Sequence, residues 1–547
     1  EDKSVVVVFN GEIYNFMELK EILEKKGYHF HSKCDTEVLL YGYEEWGTGL
    51  AERLRGMFAF VIADTRKNQL YGARDYFGIK PLYYSFLDNH NLIFGSEIKS
   101  FLEHPAWHKE VNPNALRPYL TFQYSAMDET FFKGTYKLEP AHWFIFQDGQ
   151  MHIEQYWDID FSKKTTASMD DVAEEIVRRV EETVKAHRIS DVPVGSFLSG
   201  GVDSSYITEE LKPEDTFSVG FPSKNFDETE DASRLSSLLH VKNFRQELDG
   251  DACMEAFADI QYHMDEPQSN PSSVPLYFLA KLARQHVTVV LSGEGADEIY
   301  AGYEWYDEYD MMKKYKRLPQ GMRILAADVV RHLPYFKGHD MILASTGRPE
   351  DYFIGQARVF SEKEAYDILK PAYRKGPGVR DITQPIYDKV KDLSELEKKQ
   401  YLDFHLWLPG DILLKADKMS CASSLELRVP YLDRYVVEEA ARIPADYKIN
   451  DIDTKYVFRK AASTKIPQEW AFRKKKGFPV PIREWVKEDK WYKQIRDDFT
   501  SDVANEYFDT DKLVKLLNDH KDGRAMNQRK IWTAWTFLTW HKVFFGE

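Results

Sequence analysis

The sequence predicts a two-part protein: an α+β part rich in strands, then an α/β part with a parallel sheet and a helical C-terminal region. Segments such as GMFAFVIADT and QLYGARDYFGIKPLYYS are rich in aromatic and β-branched residues and are broken by glycine, which is typical of strands. From Val192 onward, strand-like runs alternate with helical patterns, which indicates crossover connections. We therefore expect a first domain over residues 1–158, a linker over 159–168 and a second domain over 169–547.

Composition and charge narrow the classes of function. The 547 residues carry a formal net charge of −16, which disfavours nucleic acid as the main partner because phosphate binding needs a basic surface. No run of about 18 apolar residues occurs, so we expect no membrane-spanning helix. Cys34, Cys253 and Cys421 lie far apart and form no metal-ligand spacing. This cysteine usage indicates a reducing compartment, and the cytoplasm is the expected location.

The first strand-like run ends in a polar turn. Residues 5–9 are typical of a strand buried on both faces, and Asn10 and Gly11 follow directly. Asn-Gly is a common hairpin turn, but an amphipathic helix pattern comes next, with Asn15 as its expected cap and Glu18 completing a capping box. At a strand-to-helix connection, a glycine N–H and an amide side chain are the donors that an oxyanion hole needs.

Three further segments complete the element pattern. HWFIFQDGQMHIEQYWDI predicts a hairpin that turns at Asp148 and Gly149. MDDVAEEIVRRVEETVKAHR, directly after the linker, repeats apolar residues every four positions and predicts an amphipathic helix. The tryptophans of the last helical segment, RKIWTAWTFLTWHKVFF, are expected in the core rather than in a ligand site.

The strongest local signal is FLSGGVDSS, over residues 197–205. A strand ends there, Gly200 and Gly201 let the backbone approach a phosphate, and the N–H groups at the helix start favour an anion. Hydroxyl donors can come from three serines: Ser199, Ser204 and Ser205. No Walker-type loop occurs, and an ordinary strand–turn–helix joint is the alternative interpretation.

A second signal, LSGEGADE over residues 291–298, lies at another strand-to-helix turn. Strand C-termini line up along one edge of a parallel sheet, so Asp203 and Asp297 could share a Mg²⁺ ion on bound pyrophosphate. The alternative is that Asp297 and Glu298 only stabilise the start of a helix. A third signal, FRKKKGFPVPIREW, predicts a shaped basic loop in which one lysine reaches a phosphate, and spacing alone does not say which.

In this order the motifs resemble those of the glutamine-hydrolysing asparagine synthetases. The resemblance covers nearly the whole chain through NGEIYNF, CDTEVLL, ARDYFGIKPLYY, GSEIKS, DVPVGSFLSGGVDSS, SVGF, SGEGADEIYAGY, LKADKMSCASSLELRVPYLD and KKKGFPVPI. It implies an N-terminal-nucleophile (Ntn) glutaminase domain, a sandwich of two sheets between helix layers. It also implies a second, adenylating domain of the PP-loop ATP pyrophosphatase type, which receives ammonia through a tunnel.

The resemblance further implies roles for single residues. Asn10 and Gly11 match the family's oxyanion hole, and Glu12 and Asp35 match positions that hold the glutamine substrate. Contacts with ATP or its pyrophosphate are implied for Leu198, Ser199, Gly200, Gly201, Asp203, Ser204, Ser205, Val219, Ser292 and Gly293.

Two residues are implied in the synthetase chemistry, and one expected residue has no counterpart. Glu294 matches the carboxylate tied to intermediate formation and ammonia attack, and Lys475 aligns with the family's catalytic lysine. The family's nucleophile is a cysteine at residue 1 of the mature chain, whereas residue 1 here is Glu1, and Cys34 has no α-amine beside it. Either this sequence is an incomplete record of a longer product, which we expect, or this variant has lost glutaminase activity. In both cases we expect the polypeptide as it stands to use ammonia instead of glutamine.

The resulting prediction is a ligase that converts L-aspartate to L-asparagine with ATP through β-aspartyl-AMP, using ammonia from glutamine in the full-length protein. The expected partners are these small molecules and Mg²⁺, with neither nucleic acid nor a membrane, and a homodimer is one open state of assembly. Two alternatives remain: an amide-forming enzyme acting on a sugar acid, a peptide or a β-lactam precursor, and a non-enzymatic binder on the same fold. A tRNA-modifying PP-loop enzyme is disfavoured by the net charge of −16.

Overall fold

The computed structural model describes residues 3–88, 91–223, 227, 229–307, 310–330, 333, 338–356, 358–474 and 479–546. The strands of the N-terminal part are β1 (Val5–Ile13), β2 (Gly56–Asp64), β3 (Gln69–Arg74), β4 (Tyr83–Leu87), β5 (Asn91–Gly95), β6 (Thr135–Lys137), β7 (His142–Gln147) and β8 (Gln150–Gln155). Its helices are α1 (Phe16–Lys25), α2 (Thr36–Trp46) and α3 (Leu116–Phe122).

These strands form two antiparallel sheets, one of five strands in the order β1-β2-β3-β7-β8 and one of three in the order β5-β4-β6. Successive side chains of a strand point to opposite faces, and β2 follows this rule. Phe58 and Phe60 belong to the main core with α1 and α2, whereas Ala59 and Val61 belong to a separate core with Tyr84 of the second sheet. The two sheets therefore pack face to face, as the sequence predicts.

Strand β1 corrects two expectations. It continues through Asn10 and Gly11 to Ile13 instead of ending at residue 9, and it is not buried on both faces, because Val6 and Val8 are 51% and 61% exposed. The physical reason is that β1 lies at the end of its sheet and pairs with β2 alone among the described strands. At Gly11, with φ of 148°, a Cβ would lie 2.0 Å from the carbonyl oxygen of Met57, so only glycine fits.

The predicted capping box at the start of α1 is wrong. Asn15 stands at the cap position, but its side chain makes no capping hydrogen bond. Its amide instead donates to the carbonyl of Arg53 at 2.9 Å and accepts from the N–H of Arg55 at 2.8 Å. An asparagine at this position could form either set of hydrogen bonds. The observed bonds go to the backbone of the segment that precedes β2.

The second part has strands β9 (Val194–Phe197), β10 (Asp215–Gly220), β11 (Lys242–Glu247), β12 (Val289–Leu291) and β13 (Glu426–Arg428). Its helices are α4 (Met169–His187), α5 (Val202–Leu211), α6 (Thr229–Leu238), α7 (Gly250–Glu255), α8 (Phe257–Met264), α9 (Ser273–Arg284), α10 (Ala296–Tyr300), α11 (Asp310–Tyr315), α12 (Gln320–Val330), α13 (His339–Ala344), α14 (Glu362–Ile368), α15 (Val379–Asp388), α16 (Glu395–His405), α17 (Leu414–Cys421), α18 (Arg434–Arg442), α19 (Ala445–Lys448), α20 (Tyr456–Ala462), α21 (Gln468–Ala471), α22 (Ile482–Trp485), α23 (Asp489–Phe499), α24 (Asp502–Tyr507), α25 (Thr510–Lys521) and α26 (Gln528–Phe545). Among the described residues, no helix combines the length and the apolar character needed to cross a membrane.

The five strands form one parallel sheet in the order β11-β10-β9-β12-β13. The chain moves outward from β9 through β10 to β11, and it then returns to the other side of β9 as β12. The order of strands therefore reverses between β9 and β12, and ligands of open α/β sheets bind at such a switch point.

Several predictions for single elements are confirmed. The β7–β8 hairpin turns at Asp148 and Gly149, both with positive φ, as a type I′ turn requires. Helix α4 begins at a capping box formed by Ser168 and Asp171. The tryptophans of α26 are buried at residues 532, 535 and 540. The proposed linker, 159–168, is largely exposed but is anchored at single points: Ile159 is 7% exposed, and the N–H of Thr165 donates to the carbonyl of residue 442.

Candidate active site

Two loops meet at the switch point of the parallel sheet. The first follows β9 and leads into α5, and the second follows β12 and leads into α10. A Cβ placed on Gly293 would lie 2.9 Å from both the Cβ of Asp203 and the backbone nitrogen of Ser204. The loops are therefore in direct contact, and the glycine is needed for this close approach.

The serines of the first loop hydrogen-bond to one another. The hydroxyl of Ser204 accepts from the backbone N–H of Ser199 at 3.1 Å and lies 3.0 Å from the Ser199 hydroxyl. The N–H of Gly201 donates to the Ser199 hydroxyl at 3.3 Å. These bonds fix the loop before any anion reaches it.

A cavity of about 960 Å³ opens beside the two loops. Its lining includes ten residues that the sequence analysis singled out: Leu198, Ser199, Gly201, Asp203, Ser204, Val219, Ser292, Gly293, Glu294 and Asp297. Two others are not part of this lining. Ser205 is fully buried within α5, and a Cβ on Gly200 would come within 3.1 Å of Asp231.

A lysine that the sequence analysis missed lies between the two predicted metal ligands. The Nζ of Lys455 is 2.6 Å from Oδ1 of Asp203 and 2.8 Å from Oδ1 of Asp297. Gly302 makes room for this pair, since a Cβ there would lie 2.0 Å from Oδ1 of Asp297 and 2.4 Å from Cε of Lys455. A single lysine before a short helix carries no sequence signal that would have identified it.

The carboxylates of Asp203 and Asp297 fit a Mg²⁺ ion only together with phosphate oxygens. Among the described residues, no group of three or more His, Cys, Asp or Glu side chains could hold a metal. Mg²⁺ is usually bound through one or two carboxylates plus substrate phosphates, and these two side chains line the cavity beside the glycine-rich loop. The donor chemistry therefore suits an ion that arrives with a polyphosphate.

The two glutamates of the second loop differ in their surroundings. Glu294 lines the cavity. Glu298 is fully buried and accepts a hydrogen bond from the hydroxyl of Tyr303 at 2.6 Å. Burial, together with the nearby charge of Asp297, raises the pKa of Glu298 to about 7. Glu298 therefore lies in the core and does not line the cavity.

The basic segment reaches the same cavity in its described part. Arg473 and Lys474 line the cavity, and Arg473 forms an ion pair with Asp231 of α6. Lys475, the lysine that the resemblance implies as catalytic, lies outside the described residues.

The residues implied in glutamine binding lie near the end of β1. The amide of Asn10 donates to the hydroxyl of Ser96 at 3.0 Å, and a carboxylate oxygen of Asp35 accepts from the N–H of Ile13 at 2.9 Å. Glu12 lies 3.4 Å from the guanidinium of Arg428, which belongs to β13 of the second part. Burial raises the pKa of Glu12 to about 7, with Arg428 opposing the shift.

Cys34 also lies in this region. It is exposed, and its thiol donates to the carboxylate of Asp35 at 3.4 Å. Asn10, Glu12 and Asp35 thus lie together near the end of β1, and Gly11 is the residue of the strand between Asn10 and Glu12.

Comparison with known proteins matches two families to two parts of the chain. The family described as Asparagine synthase matches residues 175–542, and the Glutamine amidotransferase domain matches residues 1–157. The chain is 40% identical to asparagine synthetase 1 (glutamine-hydrolyzing) of Bacillus subtilis (strain 168), over 99% of this chain and 86% of that protein. It is 36% identical to a putative asparagine synthetase (glutamine-hydrolyzing) of Mycobacterium bovis, over 98% of this chain and 84% of that protein.

These matches agree with the geometry of both parts: two packed antiparallel sheets in the first, and a glycine-rich loop at the switch point of a parallel sheet in the second. The chain belongs to the asparagine synthase family and joins its synthase domain to a glutamine amidotransferase domain.

Proposed function

We propose that this chain is a ligase that converts L-aspartate to L-asparagine with ATP and with ammonia as the nitrogen donor, which the family's amidotransferase domain releases from glutamine. The observation that carries the proposal is the meeting of two loops in one cavity, where Asp203, Asp297, Lys455 and Glu294 surround a glycine-rich turn. The proposed organisation is a glutaminase domain over 1–158, a linker over 159–168 and a synthetase domain over 169–547.

The first step joins aspartate to the nucleotide. An oxygen of the β-carboxylate attacks the α-phosphorus of ATP, the bond to the β-phosphate breaks, and pyrophosphate leaves with its electron pair. The loop N–H groups after β9 and the ammonium of Lys455 stabilise charge on the leaving group. Asp203 and Asp297 would hold Mg²⁺, which when bound neutralises phosphate charge.

The second step forms the amide. Ammonia attacks the carbonyl carbon of the acyl-adenylate, the bond to AMP breaks, and the nitrogen loses one proton. Glu294 lines the cavity beside the loops, which supports it as the carboxylate that receives this proton. Lys475 is proposed to contribute positive charge near the phosphates, in line with the resemblance.

The proposal also covers the residues that bind glutamine, and the location and partners of the protein. Asn10 and Gly11 are the proposed oxyanion donors, and Glu12 and Asp35 the proposed contacts for glutamine. We propose that the protein works in the cytoplasm on small molecules, without nucleic acid or membrane.

The test uses the purified chain with ATP, Mg²⁺, L-aspartate and ammonium chloride, at about pH 8 so that enough NH₃ is present. We expect pyrophosphate, AMP and asparagine in equal amounts, and no pyrophosphate when aspartate is omitted. Sugar acids and short peptides replace aspartate in parallel reactions. Pyrophosphate release with one of these acids and not with aspartate would assign the chain to another amide-forming reaction.

A further inference from the structure

We propose that the end of the cavity formed by Gln123, Lys415, Gln528 and Arg529 binds the α-carboxylate and α-ammonium of the acceptor amino acid. The proposal rests on the proposed function, because it names the site that turns the β-carboxylate of aspartate toward ATP. All four residues line the same cavity as the glycine-rich loop.

Two aromatic residues connect this end of the cavity to the phosphate-binding loops. Tyr303 donates to Glu298 just after the second loop, and the indole N–H of Trp407 lies 3.4 Å from the Tyr303 hydroxyl. Both aromatic residues line the cavity. Trp407 directly precedes a π-helical turn, Leu408–Leu413, and such turns are frequent at functional sites.

Asp411 in the π-helical turn orients the polar groups of this end. Its carboxylate is fully buried and accepts from the amide of Gln123 at 2.8 Å and from the amide of Asn270 at 2.6 Å. The Nζ of Lys415 lies 3.9 Å from the same carboxylate, beyond hydrogen-bond distance. The Lys415 side chain is only 6% exposed, so its ammonium is held at the cavity wall rather than in bulk water.

Arg529 supplies a second positive charge at the start of α26. Its guanidinium donates to the side-chain oxygen of Gln123 at 2.8 Å and to the carbonyl of Gln356 at 3.2 Å. Gln123 therefore links Asp411 to Arg529, and it fixes the guanidinium in one orientation. Burial lowers the pKa of Arg529, and the carboxylate of Asp411 only partly opposes this. A carboxylate of the ligand would pair with the guanidinium and so reduce the free-energy cost of keeping its charge buried.

The charges of this end match one carboxylate. Lys415 and Arg529 carry two positive charges, and Asp411 carries one negative charge. The α-carboxylate of the acceptor acid would offset this net charge of +1, while its α-ammonium would face the neutral side-chain oxygen of Gln528. The guanidinium suits a carboxylate because of its planar set of donors.

Gln528 gives an independent sign of a missing ligand. Its side-chain oxygen is buried and has no hydrogen-bond partner among the residues that the structure describes, although the residue lines the cavity. A buried unpaired acceptor is costly, so a donor from the ligand is expected. The α-ammonium group of an amino acid, one bond from the carboxylate-bearing carbon, is such a donor.

The test compares L-aspartate with 3-aminopropanoate, which keeps the reacting carboxylate and lacks the α-carboxylate. Arg529→Gln should raise the KM for aspartate at least about 10-fold, the scale of one lost hydrogen bond to a charged group. The KM for ATP should stay within about twofold. The preference for aspartate over 3-aminopropanoate should shrink by the same factor, because the smaller acid loses no contact.

Two further variants guard against a folding defect. Lys415→Gln should show the same pattern from a different helix, and Arg529→Lys should recover part of the loss. Lys530→Gln is the matched control: its side chain pairs with Glu364 and does not line the cavity. A rise in the KM for ATP, or equal losses with both acids, would overturn the proposal.

A failed reaction and a failed subsite can be told apart. If the wild-type chain releases no pyrophosphate with any acid, the proposed function is wrong, and titration calorimetry with L-aspartate and with 3-aminopropanoate then decides the subsite alone. Binding of L-aspartate that Arg529→Gln abolishes would support the subsite. Equal binding of L-aspartate by both proteins, or none by the wild type, would refute it.

Discussion

The ammonium of Lys418 lies 2.6 Å from the carboxylate of Asp265, and both side chains are fully shielded from water. The same ammonium donates to the carbonyl of Ser96 at 3.2 Å, and the hydroxyl of Ser96 accepts from the amide of Asn10. An ion pair inside the second part thus holds the segment that positions a proposed oxyanion donor of the first part. Asp265 also accepts from Lys99 at 3.1 Å, which adds a second link across the boundary.

Lys418→Met should destabilise the protein by about 3 kcal/mol, because it leaves a buried carboxylate short of one counter-charge. Thermal unfolding measures the loss. Asp265→Asn combined with Lys418→Met should regain part of it, since the charge is then removed as well. Asparagine also tolerates the positive φ of 64° at position 265. If the double variant is no more stable than the single one, the ion pair is not the source of the effect.

Lys455→Met should lower pyrophosphate release by at least about 10²-fold, the scale of one lost electrostatic stabiliser. The variant leaves Asp203 and Asp297 facing each other without the charge that now separates them. A pyrophosphate-release assay measures the rate. Lys460→Met is the control, because that lysine lies in α20, the helix that follows Lys455, and pairs with Asp170 away from the cavity. Near wild-type release by Lys455→Met would remove the lysine from the phosphate site.

Glu294→Gln should abolish asparagine formation while ATP still binds. Exchange of labelled pyrophosphate into ATP tells the two steps apart, since it needs adenylation but not ammonia attack. Exchange that persists without asparagine would place Glu294 at the second step, and loss of both would place it at the first. Full asparagine synthesis by the variant would exclude it from the mechanism. Glu298→Gln, a change in the neighbouring core, should leave synthesis intact.

Glu298→Gln should also stabilise the protein at alkaline pH. Burial raises the pKa of the Glu298 carboxyl to about 7 in the folded chain, from about 4.5 in an unfolded one. Between these values the folded chain holds more protons, so the stability of the wild type falls as pH rises, by an amount on the order of 3 kcal/mol above pH 7. The variant has no carboxyl group at this position, so its stability does not fall with pH for this reason. The difference in unfolding temperature should grow from pH 5 to pH 8, and a constant difference would contradict the assignment.

Gly302→Ala should impair activity more than stability. The new methyl group would overlap Oδ1 of Asp297 and Cε of Lys455, which must then move apart. Gly321→Ala is the control, because no atom lies within 4 Å of a Cβ there. The ratio of pyrophosphate release between the two variants is the measurement, and equal rates would show that the crowding is relieved without cost.

The sequence predicts much of this architecture because strong local patterns carry it. The hairpin at Asp148 and Gly149 needs two positive φ angles, and the glycine-rich loop after β9 needs close backbone approach. Both conformations require particular residue types, which can be recognised in the sequence. Strand β13 has no such residue pattern, because it is short, two of its three residues are charged, and it gains its place by pairing with β12. Asn15 shows the same limit, since its preferred partners come from a loop almost forty residues away.

The residues of the site likewise include some that the sequence predicts and some that it does not. Motif residues on the two loops could be found because they are consecutive, whereas Lys455, Lys415 and Arg529 come from three separate helical regions and meet only in the folded chain. A single basic residue on a helix has no spacing by which to identify it. Asp411 was equally hidden, because a π-helical turn has no recognised residue pattern.

The contacts that the two parts make around residues 159–168 determine whether each part can be produced separately. Phe161 is 2% exposed, Arg55 of the first part forms an ion pair of 2.6 Å with Asp433, and Lys80 forms one of 2.8 Å with Asp417. A cut at the junction would strip the second part of these cations and open an apolar hollow on its surface. Each half expressed alone would thus expose apolar side chains and charged side chains without their ion-pair partners. The joined chain is therefore the smallest unit that should be produced for study.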